Sequence, residues 1–433
     1  MQRQGYVDIF TEEFRPRTHF TPARNWMNDP NGLIYYRGKY HLFYQHNPSG
    51  ILWGNMSWGH AVSTDLFNWE HLPVAISCTE TAGIFSGSAV VDHKNTSGLG
   101  KPENPPMIAI YTLHQNDESN QSQHIAYSVD EGLTWSKYAG NPVLDLGVKN
   151  FRDPKVTWDE ESLSWLMTVA KPNEFKIAFF TSKDLIHWNH LSDFGPLGAT
   201  GGVWECPDLF PLKSDNGETK WVLLVSLNPG GVTGGSGTQY FIGDWNGKEF
   251  TTNQSETLWL DYGRDNYAGV TFADAPNNQK ILIGWMCNWD YAAKLPSPIW
   301  RTSMTTPREL QLLTFGDQIR LTANPVADVK IENDYSFKIS SDKDVEIEIG
   351  DKEKHLLITF NAAKKQISID RSAAWYPELN DHPQLSPKIE LPEFTLRLIL
   401  DHGSVEVFIP EVGLAMTSLM DLPASEPRLR EYN

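Results

Sequence analysis

A short apolar stretch recurs five times along the chain, at residues 40–45, 107–112, 165–170, 221–226 and 281–286. The starts are 67, 58, 56 and 60 residues apart. Ahead of each lies another strand-like run, at 32–37, 87–92, 154–159, 207–212 and 269–274. Several copies continue into a third run that ends in a Ser/Asp turn and a tryptophan, as at 61–65 before Trp69, 126–130 before Trp135 and 182–184 before Trp188; residues 243–250 resemble a fourth version. Near-equal repeats of several short strands are what β-propeller blades require, because each sheet buries its faces only against its neighbours. Five copies predict an all-β fold, a five-bladed propeller over residues 1–325.

Beyond 325 the pattern changes. Residues 345–349, 355–360, 366–370, 394–400 and 405–409 alternate apolar and polar side chains with period two, the mark of antiparallel strands with one buried face. With 414–420 they predict a small β-sandwich over 326–433. Its shortness predicts missing strands, whose edges the propeller or a second subunit, in a homodimer, would cover.

The chain carries 36 basic and 54 acidic residues, a net charge of −18. Such a surface repels phosphate backbones and anionic lipid, so nucleic acid and membrane are excluded as partners and a neutral or cationic substrate is expected. Three cysteines and 13 histidines show no disulfide or metal-ligand spacing, so no metal and no cofactor is expected. Residues 1–17 hold no apolar stretch of a secretory signal, which reads as cytoplasmic for the sequence as it stands and extracellular if a signal was cut away. Asn-x-Ser/Thr matches at Asn55, Asn95, Asn120 and Asn253 do not decide between these.

Three of the first strands are preceded by an acid beside a proline: Asp29-Pro30, Asp153-Pro154, and Glu205 with Cys206-Pro207. Singly such pairs are turn punctuation. In three blades of one ring they predict carboxylates at equivalent places around one mouth of the central channel, rigid because proline fixes φ and restricts the residue before it. A ring of acids suits glycosyl transfer to water, with one nucleophile, one proton donor and one anchor for hydroxyls. Trp204 beside Glu205 is expected to help shield that acid from water. Cys206 reads as a small buried thiol filling space.

The blocks Trp-Met-Asn-Asp-Pro-Asn-Gly at 26–32, Phe-Arg-Asp-Pro at 151–154 and Trp-Glu-Cys-Pro at 204–207 resemble, in this order, the signature blocks of the glycoside hydrolase family 32 fructosidases. Trp53-Gly54, the run at 85–89, Gly284-Trp285 and the run at 307–310 resemble further family blocks, so the likeness covers nearly all of residues 18–325. The resemblance implies a retaining β-fructofuranosidase acting on sucrose or β-fructans such as inulin and levan. It implies Asp29 as the nucleophile, Glu205 as the general acid and then base, and Asp153 with Arg152 holding the fructosyl hydroxyls. The working pair would stand about 5 to 5.5 Å apart. Asn28, Gln45, Trp53, Phe85, Ser86 and Trp285 match positions that contact the sugar. Asp265 and Tyr267 open the fifth blade at the corresponding place, and Asn47 and Trp289 are candidates for the mouth of the funnel. The alternatives are a transfructosylase, which hands the same intermediate to a sugar acceptor, and a fructan-binding protein without activity.

Overall fold

The computed structural model describes residues 15–296, 299–316, 318–327, 331–379 and 381–432. Five antiparallel sheets follow one another along the chain and form the five-bladed propeller. Blade one consists of Asn25–Tyr36, Lys39–Asn47, Ser57–Ser63 and Trp69–Ile76, blade two of Ala82–Val91, Met107–Gln115, Gln121–Ser128 and Ser136–Lys137. Blade three runs through Arg152–Asp159, Ser164–Lys171, Lys176–Ser182 and Asn189–Phe194, and blade four through Val203–Lys213, Thr219–Asn228, Gly237–Trp245 and Phe250–Thr251. Blade five is built on Tyr267–Thr271, Ile281–Met286, Arg308–Phe315 and Gln318–Pro325. The ring closes where Trp300–Arg301 pairs in parallel with Asn25 and Trp26, and where the Met304 N–H donates to the Phe20 carbonyl at 2.9 Å.

The second strand of every blade is buried almost throughout, because both of its faces pack on neighbouring blades. That is why these strands read as continuous apolar runs. Between blades two and three, Ile108 and Ile110 meet Val156, Met167 and Val169 in one such core.

The C-terminal region holds two sheets. One orders Asp334–Ser340, Glu393–Asp401, Ser404–Ile409 and Leu414–Leu419, the other Gln384–Leu385, Gln366–Asp370, His355–Asn361, Asp344–Gly350 and Arg428–Tyr432. Asp334–Ser340 and Arg428–Tyr432 are strands that the period-two pattern does not mark, and the second of them is exposed throughout. Alternate residues such as Ile347, Ile358, Leu398 and Val407 make the core between the sheets.

Candidate active site

Each blade carries the same irregularity near the start of its first strand: two residues stand opposite one on the second strand. The pairs are Asn28-Asp29 against Gln45, Phe85-Ser86 against Thr112, Asp153-Pro154 against Val169, Cys206-Pro207 against Val225, and Ala268-Gly269 against Gly284. Such a bulge breaks strict alternation and re-aims side chains. In blades three to five its first residue, Asp153, Cys206 or Ala268, has a left-handed backbone with φ of 66°, 47° and 54°. The three acids therefore do not occupy the equivalent positions that sequence spacing predicts. Asp29 is the second bulge residue of its blade, Asp153 the first of its own, and Glu205 the residue before the bulge, level with Arg152 and Tyr267. Bulges let neighbours in sequence face the same side, so offsets of one and two residues still reach one cleft.

That cleft encloses about 440 Å³ and is lined by Asp29, Asp153 and Glu205 together. The Ser86 hydroxyl donates to Asp29 Oδ2 at 2.7 Å and Asn28 Nδ2 to Asp29 Oδ1 at 3.0 Å. Asn28 is itself fixed by the Trp26 indole, 2.7 Å away. Arg152 donates through Nε and Nη2 to Glu205 Oε1, and the Tyr267 hydroxyl donates to Glu205 Oε2. The Cys206 N–H donates to Asp153 Oδ2 at 3.0 Å. The Cys206 thiol lies 3.7 Å from Asp29 Oδ2 and 3.6 Å from Asp153 Oδ2, so it touches two of the acids as well as filling space.

Three carboxylates share this cleft with one guanidinium. Burial pushes Asp29 up to about 6; Glu205 adds to the rise, and the Ser86 and Asn28 hydrogen bonds oppose it. Burial likewise pushes Asp153 up to about 7, against the pull of Arg152 and with the help of Glu205 and Asp29. The Cys206 thiol and the Tyr267 phenol are raised by burial and the neighbouring carboxylates, so both keep their protons and serve as donors. Among the described residues no group of three His, Cys, Asp or Glu side chains is arranged to hold a metal ion. A second cavity, of about 350 Å³, opens toward the far ends of the same first strands, where Lys155 and Asp208 pair with each other at 3.3 Å.

Of the residues singled out in the sequence, Asn28, Gln45, Trp53, Phe85, Ser86 and Arg152 line the cleft beside the three acids, and Trp289 stands at its edge. Trp53 is half exposed and meets the Phe85 ring edge-on at 6.0 Å, which makes an aromatic rim. Tyr267 reaches the site only through its bond to Glu205. Asn47 turns aside to bond the Leu52 carbonyl at 2.8 Å. Trp285 is fully buried behind Trp289, its indole bonded to Thr302 at 2.9 Å, and forms no wall of the cleft. Asp265 stands outside the site altogether: it pairs with Arg371 at 2.9 Å and accepts from the Leu419 N–H, in the seam between propeller and sandwich. Trp204 points away from Glu205, as successive strand residues must, and donates to the Ala199 carbonyl in the core beneath. The cleft also includes His114, Glu118, Gln121, Lys149, Asn150, Val203 and Asn228. Asn150 and Lys149 immediately precede the Phe-Arg-Asp-Pro block, which is the signal that could have brought them forward.

The model of the glycosyl hydrolases family 32 N-terminal domain matches residues 19–325, and that of the family's C-terminal domain matches residues 301–420. The chain belongs to glycoside hydrolase family 32. A levanase of Bacillus subtilis (strain 168) is 50% identical over 329 residues, which cover 74% of this chain and 48% of the levanase. An extracellular exo-inulinase of Aspergillus awamori is 44% identical over 354 residues, covering 74% of this chain and 66% of that protein. The chain thus spans about half the length of the one relative and about two thirds of the other. The crystal structure of the exo-inulinase from Aspergillus awamori superimposes with a TM-score of 0.88 at 36% identity, over 97% of this chain and 96% of that one. A β-fructofuranosidase from Schwanniomyces occidentalis, solved with fructosyl-erythritol, gives a TM-score of 0.85 at 34% identity, over 94% and 91%.

Proposed function

We propose that this family 32 chain is a β-fructofuranosidase that releases fructose from sucrose or β-fructans by double displacement. The observation that carries this is the division of labour in the cleft. One carboxylate, Asp29, is held by two donors, and a second, Glu205, is gripped separately by Arg152 and Tyr267. Family membership and the levanase, exo-inulinase and fructofuranosidase names of its relatives support a fructoside as substrate.

In this reading Asp29 attacks the anomeric carbon of the fructosyl unit, and its carboxylate oxygen forms the new C–O bond as the glycosidic C–O bond breaks. Glu205 delivers a proton to the leaving oxygen. It then removes a proton from the water that attacks the same carbon, and Asp29 leaves as a carboxylate. Asp153 and Arg152 hold the sugar hydroxyls as charge develops on the ring. Ser86 and Asn28 keep Asp29 oriented, and Trp53 and Phe85 offer apolar surface to C–H faces.

The test is a product profile on sucrose, inulin and levan for the parent and for Asp29→Ala. Free fructose is expected from the parent, and less than a few per cent of that rate from the variant. Larger residual hydrolysis would remove Asp29 from the nucleophile's role. Oligosaccharide outrunning free fructose at high sucrose would favour transfer over hydrolysis. For Glu205→Ala, activity is expected to survive better on a fructoside with a good leaving group than on sucrose, and equal losses would sink the general-acid assignment.

A further inference from the structure

Asp153 owes its place to a neighbouring blade. Its left-handed backbone, φ 66°, is sparsely populated by residues with a Cβ and persists only where the surroundings over-determine it. Blade two supplies the determination. The Asp153 N–H donates to Thr112 Oγ1 at 3.0 Å, and the Thr112 hydroxyl donates in turn to Gln123 Oε1 at 2.8 Å. The Gln123 amide then donates to the Phe151 carbonyl at 2.8 Å. The circuit closes on the two peptide groups that flank Arg152. Gln121, on the same strand as Gln123, accepts from the Phe151 N–H at 3.0 Å.

Thr112, Gln123 and Phe151 are fully buried, so no water replaces a lost partner. Thr112 and Gln123 face each other across adjacent strands of blade two, and Thr112 is the residue opposite that blade's own bulge. One side chain thus links the bulge that presents Ser86 to the bulge that presents Asp153. Neither Thr112 nor Gln123 lines the cleft.

We infer that Thr112 and Gln123 are positioning residues for catalysis: they clamp the 151–153 backbone and so aim the Asp153 carboxylate and the Arg152 guanidinium at the sugar. This rests on the reading of Asp153 as the acid that holds the fructosyl hydroxyls. A clamp of this kind acts on the turnover step, because a small misplacement of groups that bind the transition state lowers kcat more than it weakens ground-state binding.

The test compares purified full-length variants in sucrose hydrolysis and thermal unfolding. Thr112→Val keeps shape and removes the hydroxyl, and Thr112→Ser restores it. Ser88→Ala removes a buried hydroxyl that also bridges blades two and three, donating to the Pro154 carbonyl at 3.0 Å and accepting from the Val156 N–H at 3.0 Å, and leaves the Asp153 N–H paired. Thr112→Val is expected to lower kcat by roughly tenfold to a hundredfold with KM within about threefold, while Thr112→Ser and Ser88→Ala stay within about threefold in kcat. Gln123→Glu, which keeps the acceptor for Thr112 and loses the donor to Phe151, is expected to fall between and keeps the question answerable if Thr112→Val does not fold. Equal kcat in Thr112→Val and Ser88→Ala at equal loss of Tm overturns the inference, and so does a Thr112→Ser as impaired as Thr112→Val. Asp153→Asn separates the two layers: if it retains full kcat, the reading of Asp153 itself has failed, and if it is inactive while Thr112→Val is not, only the clamp has.

Discussion

Arg152 sets two nitrogens on one carboxylate oxygen of Glu205, Nε at 3.0 Å and Nη2 at 2.9 Å. The two residues hold the same place in adjacent blades, each directly before the bulge, so the ion pair bridges the ring at the depth of the sugar site. A guanidinium can hold this fork, whereas a lysine ammonium is a point charge on a flexible stem. Arg152→Lys is expected to lower kcat/KM on sucrose by about a hundredfold with the fold intact. A steady-state comparison with matched unfolding curves checks this, and a loss below about fivefold would mean that the charge alone suffices.

The acid side of the pH profile should report Asp29. Burial raises this carboxyl to about 6, and the Ser86 hydrogen bond works against the rise. A nucleophile must be ionised, so kcat/KM should fall as pH drops through about 6. Removing the opposing bond in Ser86→Ala moves the acid limb to higher pH. Profiles of both proteins between pH 4 and pH 8 test the sign, and a limb that stays in place or moves down contradicts it.

The same shift makes Asp29 costly to the fold. A carboxyl raised in the folded state stabilises it below its unfolded value of 3.8 and loses that contribution as pH rises through about 6. At pH 7.5 the buried charge is therefore a burden that an amide would relieve. Asp29→Asn is expected to be inactive yet more stable at pH 7.5 by about 1–2 kcal/mol, with the gain vanishing near pH 4. Denaturant unfolding at the two pH values decides it.

The ring of blades was legible because the second strand of each is buried on both faces. An apolar run such as 281–286 coincides with Ile281–Met286 for that reason. The first strands are marked in sequence without their near ends: the pattern gives 207–212, whereas the strand is Val203–Lys213, and gives 32–37, whereas the strand is Asn25–Tyr36. Their near ends are bulged, and periodicity cannot see a bulge. That also explains why spacing puts the acids in equivalent positions when Asp153 is offset by one residue from Glu205 and Asp29 by two. The sequence points Asp265 to the site through its place at the opening of the fifth blade, and Trp285 through its match to a family sugar-contact position. Their places depend on Arg371 and Thr302, partners 106 and 17 residues away that no local pattern announces. The clamp of Thr112 and Gln123 was invisible for the same reason.

The seam between propeller and sandwich should show its own pH signature. Arg308 is fully buried between Asp261, at 2.8 Å, and Glu406, at 2.9 Å. His19 bonds Asp401 at 2.9 Å and lies 3.7 Å from Glu406. Burial alone would lower His19, but the Asp401 hydrogen bond and the nearby charges of Glu406 and Asp401 outweigh it and raise it to about 9. Burial alone would raise Asp401 and Glu406, yet their hydrogen bonds and cationic neighbours hold each at about 2. The histidine's contribution is full below its ordinary value of 6.5 and is lost as pH rises through about 9. The carboxylates contribute fully above 3.8 and 4.5, and lose that contribution as pH falls toward about 2. All three therefore act together between about 4.5 and 6.5. His19→Gln is expected to lower stability by about 2–3 kcal/mol in that window and by much less near pH 10. The measurement is Tm against pH for parent and variant, and a gap that stays constant from pH 6 to pH 10 would mean that His19 is uncharged in the fold.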